Sequence, residues 1–262
     1  MPRPAGTHEI LPTQPQIAIV AALEREISPL IQTWRVAKKS HANHDFKFFE
    51  QENAALICAG IGPQSARRAA EAIIALYSPT IIYSAGFAGA LTPGLKIGEI
   101  IIPRRVINAA DGSRTDTDTD TAAGDQILIS FPSVADPEQK AKLHESFAAH
   151  AVDMEAAAVA QAAQARGIKF AAIKAISDES GFTLPPMEKF ITAHGQFRTA
   201  QFAIHASSRP WLWPTLVRLA RNSSKASHAL CDVLRRVVDD KIVGGKNAAS
   251  PESVPLEASN HR

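Results

Sequence analysis

Two carboxylates stand where their surroundings ask for a chemical explanation. Glu155 lies in VDMEAAA, residues 152–158, at the start of an Ala-rich helix and beside Met154. A carboxylate packed among alanines is costly to bury unless hydroxyls or other donors meet it. Its neighbour Asp153 has an ordinary account, since acidic residues favour helix N-termini through the helix dipole. Asp178 closes FAAIKAISD, a hydrophobic segment that reads as a central strand ending in Ser177-Asp178. An acid there either caps the following turn or serves a site at the strand end, and the residues alone weigh the two equally.

Glycines mark where a ligand would approach these acids. In ALICAGIGPQSA, residues 55–66, a strand runs into Gly60 and Gly62 and a helix opens after Pro63. Such a turn aims backbone N–H groups at an anion or a sugar hydroxyl, although a tight turn needing positive φ explains the same glycines. SAGFAGAL, residues 84–91, reads as a second small-residue turn after a strand. Two such turns side by side leave room at the carboxyl ends of the strands, where open α/β sheets hold their ligands.

The elements that position these residues are short apolar runs alternating with helical patterns, the mark of a sheet covered by helices on both faces. Strands are expected at residues 17–22, 47–51, 54–59, 80–84, 97–103, 127–130 and 170–176, with helices at 65–76, 137–148, 153–166 and 214–234. In the last helix Leu216, Leu219, Ala220, Ser223, Ala226, Leu230 and Val233 follow the three-and-four spacing of one buried face. One domain is expected over residues 15–238, with disordered ends at 1–14 and, in a polar Pro/Gly/Ser-rich stretch, at 239–262.

Composition removes several classes of function. With 28 Lys+Arg against 26 Asp+Glu the formal charge is +2, so no global field calls for nucleic acid. Cys58 and Cys231 are far apart and lack zinc-ligand spacing, which fits a reducing cytoplasm and two core residues without a role. RTDTDTDT at 114–121 imitates the opening of a calcium loop, but the sixth and twelfth positions are Thr121 and Ile127 rather than Gly and Glu. A solvated loop is the expectation there, with no metal. No segment reaches the ~20 apolar residues that span a bilayer, and prolines interrupt the start where a signal peptide needs an apolar run.

VAALEREI, GIGPQSA, SAGFAGAL, VDMEAAA and KAISD stand in the order and spacing of the nucleoside phosphorylase and nucleosidase superfamily. The resemblance covers about residues 16–180 and is greatest to 5'-methylthioadenosine/S-adenosylhomocysteine nucleosidases. It implies a three-layer αβα sandwich with a mixed central sheet, and cleavage of the N-glycosidic bond of an adenine nucleoside through an oxocarbenium-like transition state. No metal or organic cofactor is implied, though phosphate is a conceivable co-substrate.

By the same resemblance Glu26 activates the attacking water, and Asp178 gives a proton to purine N7. Glu155 binds the ribose hydroxyls, Met154 packs on the sugar, Ala88 and Gly89 line sugar and base, and Ser177 orients Asp178. Phe131 or Val134 would stack on the purine. This chain has Lys174 where the nucleosidases carry Arg, and Phe87 where they carry a small hydroxyl residue, both positions near the nucleophile. Lys keeps the charge but not the two-pronged contact. The expected partner is a small nucleoside, and relatives assemble as homo-oligomers.

Beyond Asp178, GFTLPPMEKF and RPWLWPTLVRLARNS resemble hopanoid-associated phosphorylases, which implies an alternative: adenine removal from adenosylhopane, by water or by phosphate. Trp211 and Trp213 with Arg209, Arg218 and Arg221 would then meet a membrane surface, although core packing is the commoner use of such a stripe. An alternative of another class is a nucleoside-binding protein without catalysis.

Overall fold

The structure is a computed structural model that describes residues 15–118, 125–185, 188–190, 192, 195, 197–198, 201–202 and 207–247, the stretch 240–247 by backbone alone. The expected disorder at residues 1–14 and 248–262 lies outside the described residues.

The sheet runs β2-β3-β4-β1-β5-β10-β9-β7-β8, with β11 on the other edge of β5 and β6 beyond β11. The central strands are β1 (Ile17–Ala21), β4 (Ala54–Cys58), β5 (Ile81–Ala90) and β11 (Lys169–Asp178). They pair in parallel and read as near-continuous apolar runs because both faces are covered. Around them lie β2 (Arg35–His41), β3 (His44–Gln51), β6 (Ile100–Ile101), β7 (Arg105–Asn108), β8 (Arg114–Asp116), β9 (Ile127–Ser130) and β10 (Ala151–Asp153). Antiparallel pairs β2–β3, β3–β4, β10–β5, β11–β6 and β7–β8 make the sheet mixed.

Period-two alternation sorts the core. On one face Ala18, Val20, Ala55, Ile57 and Ile82 meet Ala66, Ala70 and Ile73 of α2 (Pro63–Tyr77) and Ala156, Val159 and Ala163 of α4 (Ala156–Gln164). The alanines of α4 let its backbone lie close on the strands. On the other face Ile17, Ile19, Leu56, Tyr83 and Ile173 meet Ile27 and Leu30 of α1 (Glu24–Ile31) and Leu230, Cys231 and Leu234 of α5 (Trp213–Asn247). Between these, α3 (Pro137–Phe147) covers β9 and β10 through Leu143 and Phe147.

Several elements differ from the sequence expectation, each for a physical reason. SAGFAGAL is not a turn, because β5 continues to Ala90 while residues 81–89 pair with β11. The run at 97–103 contracts to the pair Ile100–Ile101. Strand β2, RVAKKSH, lacks an apolar face, and its hairpin turns on Ala42 and Asn43 at φ 48° and 63° without the usual glycine. Arg114–Asp116 is a strand rather than a solvated loop, with Asp116 bound to Arg105 and Asp118 accepting from the Phe170 N–H.

Helix α5 also runs past its expected end and into the stretch expected to be disordered, since the apolar spacing continues through Val237 and the buried Val238. Its first turns depart from the expected buried stripe. Ala220 is exposed, and Trp211 and Trp213 are 70% and 53% exposed. The sheet therefore packs on the second half of α5. Among the described residues no helix is long and apolar enough to cross a membrane.

Candidate active site

Strand β5 splits the sheet. Its residues 81–84 pair with β1, and Gly89 and Ala90 pair with β10 on that same edge, so residues 85–88 face neither neighbour. The ends of β1 and β10 diverge there, at a reversal of strand order, and an open cleft occupies the gap. Leu23, Arg25 and Glu26 enter from the β1 end, Asp153, Met154 and Glu155 from the β10 end, and Ser177 and Asp178 from β11.

Glu26 is buried in the first turn of α1 and projects onto β5. A Cβ at Gly86 would lie 2.8 Å from Glu26 Oε2, so only glycine lets the acid sit there. The Phe87 backbone N–H bonds to Glu26, yet Oε2 has no partner among the described residues. Burial, reinforced by nearby Glu155, raises its pKa to about 7, against the lowering influence of Lys174 and Arg25. A buried carboxyl with one unpartnered oxygen and a pKa near neutrality is suited to accept a proton.

Lys174 is the cation behind that acid. Its Nζ lies 2.8 Å from Asp153 and 3.1 Å from Ser84 Oγ, fully buried and off the cleft wall. Asp153 in turn accepts from Ser130 Oγ at 2.5 Å and caps α4 by accepting from the Ala156 N–H at 2.9 Å. The sequence account of Asp153 as a helix-start acid is thus half of its role. Asp153, also buried, is the counter-ion of Lys174, and separating such a pair would strand both charges.

Glu155 stands at the N-cap of α4, where the chain leaves β10. Its Oε1 accepts from the Gly62 N–H at 2.8 Å and its Oε2 from the Met154 N–H at 3.2 Å. The glycine turn at 60–62 therefore gives one of its N–H groups to a protein carboxylate rather than to a ligand. Burial and the adjacent Asp153 raise the pKa of Glu155 to about 7, countered by Lys174.

Asp178 is carried by a register shift in β11 between Ile176 and Asp178, which turns the strand end into the cleft. Ser177 Oγ donates to Asp178 Oδ1 at 2.8 Å, and Lys140 Nζ donates to Oδ2 and, at 2.9 Å, to the Glu179 carbonyl. Lys140 is 1% exposed. It sits one turn into α3, whose start is set by Pro137 and by the reciprocal Asp136/Gln139 capping box.

The remaining wall is apolar, from Ile61, Val134, Ala135, Leu184 and Phe197. Arg25 lies over the Phe197 ring at 5.3 Å. Gly195, at φ 75°, accepts from the Ile61 N–H at 2.7 Å, and a Cβ there would meet Ile61 O at 2.4 Å. Gly195→Ala must push this segment off the glycine turn. It is expected to raise KM about tenfold with little loss of kcat, in steady-state kinetics on the substrate proposed below.

Nine of the residues picked from sequence, Glu26, Phe87, Ala88, Gly89, Val134, Met154, Glu155, Ser177 and Asp178, line the cleft, and Lys174 does not. Phe131 packs instead against the α3 cluster. Lys140 and Phe197 were missed. Lys140 had a signal, since it shares a helix face with Leu143 and Phe147 at i+3 and i+7, where a charge needs a partner.

An acid-lined cleft at the split edge of a mixed αβα sheet defines a class of small-ligand enzyme folds. The fold is shared with the 5'-methylthioadenosine/S-adenosylhomocysteine nucleosidase of Helicobacter pylori bound to butyl-thio-DADMe-Immucillin-A, at a TM-score of 0.64 and 18% identity over 87% of this chain and 99% of that one. The Neisseria meningitidis nucleosidase with methylthio-immucillin-A matches at 0.63 and 21% identity, covering 86% and 98%. In sequence the chain is 26% identical over 204 residues to the aminodeoxyfutalosine nucleosidase of Campylobacter jejuni, 63% of this chain and 86% of that protein. It is 25% identical over 200 residues to a Bacillus pumilus methylthioadenosine/adenosylhomocysteine nucleosidase, 63% and 87%. The model of the phosphorylase superfamily matches residues 16–138 and 121–205, and the chain belongs to that superfamily.

Proposed function

We propose that this protein hydrolyses the N-glycosidic bond of an adenine nucleoside modified at the 5' position. The observation that carries the reading is the setting of Glu26: its carboxyl lines the cleft with Oε2 buried and unpartnered among the described residues, while Lys174 is held off the cleft wall by Asp153. A phosphate nucleophile would meet the carboxyls of Glu26 and Glu155, while the buried cations Lys140 and Lys174 are each paired with an aspartate and Arg25 lies over the Phe197 ring, whereas water suits an acceptor.

In the reaction Glu155 accepts from the ribose hydroxyls and Met154 packs on the sugar. The C1'–N9 bond lengthens and positive charge develops on the sugar, which Glu26 and Glu155 stabilise as carboxylates. Asp178, oriented by Ser177, serves the purine side, with Ala88, Gly89 and Val134 around the base. Glu26 takes the proton of the incoming water. Glu26 and Asp178 reach β5 at Gly86 and Gly89, about 10 Å apart along a strand, which leaves room for a sugar and base between opposed proton transfers. These groups complete the chemistry without a metal or organic cofactor.

The test is product analysis. Methylthioadenosine or aminodeoxyfutalosine is incubated with the protein, with and without phosphate. Adenine and the free sugar are expected at equal rates in both, and a sugar 1-phosphate would overturn hydrolysis.

A second reading, adenosylhopane as substrate, draws support from the exposed Trp211 and Trp213, joined to the site through Arg218, which pairs with Glu179 beside Asp178. A lipid nucleoside could be presented to the cleft from a membrane surface held by these tryptophans and Arg221. Adenine release from adenosylhopane in anionic vesicles, lost in Trp211→Ser/Trp213→Ser while methylthioadenosine cleavage persists, is the expected result. Equal turnover by the variant would remove this reading.

A further inference from the structure

We propose that the general acid of this site is the Lys140–Asp178 pair, with the proton for the leaving base held on the Lys140 ammonium. The proposal rests on the hydrolase reading above. A carboxyl group gives up a proton only if it carries one. Here both Asp178 oxygens are already acceptors, Oδ1 from Ser177 and Oδ2 from Lys140, inside a site where both partners are buried. Oδ2 is thus met by a donor that itself carries a transferable proton.

Lys140 lines the cleft together with Asp178 and is not a remote anchor. Both rest against Gly89, whose added Cβ would lie 2.9 Å from Asp178 Oδ2 and 3.3 Å from Lys140 Nζ. The bond from Nζ to the Glu179 carbonyl fixes the amine against Asp178. Other charges face the pair from every side: Glu26 and Arg25 from α1, Asp153 and Glu155 from the β10 end, and Glu179, itself bound to Arg218 of α5. On α3, Asp136, Glu138, Lys142 and His144 flank Lys140 in sequence.

The step balances. As C1'–N9 breaks with its electron pair passing to the purine, a proton moves from Lys140 Nζ to Asp178 and from Asp178 to purine N7. Adenine leaves neutral, Asp178 is a carboxylate before and after, and Lys140 is left as the free amine. Glu26 meanwhile takes the proton of the attacking water, and solvent exchange returns one proton to Lys140 as Glu26 releases one. An adenine anion and a lysine amine are bases of similar strength, so the transfer becomes favourable as the bond breaks.

Lys140→Met keeps the length of the side chain and removes the proton. On methylthioadenosine it is expected to lower kcat about 100-fold or more with KM within a few-fold. Its alkaline limb should move to lower pH, because the ammonium that held the proton is gone. On 4-nitrophenyl riboside, whose leaving group departs as a stable anion, the variant should keep activity within about threefold of the unaltered protein. That result also shows that the variant folds. Equal losses on both substrates, or an unmoved alkaline limb, would reduce Lys140 to a structural partner and overturn the proposal. If the unaltered protein cleaves neither substrate, the hydrolase reading fails and takes the pair with it.

Discussion

Asp178→Asn is expected to lower kcat on an adenine nucleoside by about 10³-fold or more while leaving KM within a few-fold. The amide accepts and donates hydrogen bonds at the same position but passes no proton, so base binding survives and departure as an unprotonated anion becomes the barrier. Stability should fall as well, because Lys140, 1% exposed, is left as a buried ammonium without its counter-ion. Removing one partner of such a pair costs about 3–5 kcal/mol. The double variant Asp178→Asn/Lys140→Met should therefore melt higher than Asp178→Asn alone, a non-additivity that thermal denaturation reads directly. A single variant with near-normal turnover would refute any role for Asp178 in protonating the base.

Glu26→Gln should be equally inactive on account of the nucleophile, losing about 10²–10⁴-fold in kcat, and should move stability in the opposite direction. The folded protein holds the Glu26 proton up to a pH of about 7, against 4.5 for the free side chain. Between those values the folded state binds more protons than the unfolded state, so stability falls as pH rises through this window. Above about pH 7 the carboxylate is held in its buried place at a cost of up to about 3 kcal/mol. The neutral amide avoids that cost. Glu26→Gln should thus melt higher than the unaltered protein at pH 8, by several degrees, with the gap closing toward pH 5. In the unaltered protein the same titration places the acid limb of kcat/KM near pH 7, since Glu26 must be ionised to accept a proton. A variant destabilised at pH 8, or an acid limb near 4.5, would show that burial does not control this acid.

The acids themselves were legible because each stood against its local rule. Glu155 among alanines and Asp178 at the end of an apolar strand both ask for a partner that local structure does not supply. Buried strands and Ala-rich helices were legible for the same kind of reason, since period-two and three-four patterns state which faces are covered. Strand β2 was not, because an edge strand with both faces near solvent carries no apolar period. SAGFAGAL misled because small residues serve a turn and a tightly paired central strand alike, and only pairing with β11 decides between them. Helix α5 shows the limit on the other side: a three-four pattern marked its buried stripe but could not tell which half of that stripe meets the sheet.

What the sequence determined by itself is two acids, Glu155 and Asp178, that lack a local account, a third, Glu26, marked by family resemblance, and the order of the elements that carry them. Glu26 follows the first strand, Glu155 opens an Ala-rich helix after β10, and Asp178 ends the last central strand, and these placements depend on residue type and local spacing. Tertiary structure decided their partners and so their protonation. Glu26 and Glu155 are raised toward neutrality by burial beside other carboxylates, Lys174 is spent on Asp153 behind the wall, and Lys140 reaches Asp178 across 38 residues. Electrostatic interaction depends on distance and dielectric, which chain order does not encode and packing does.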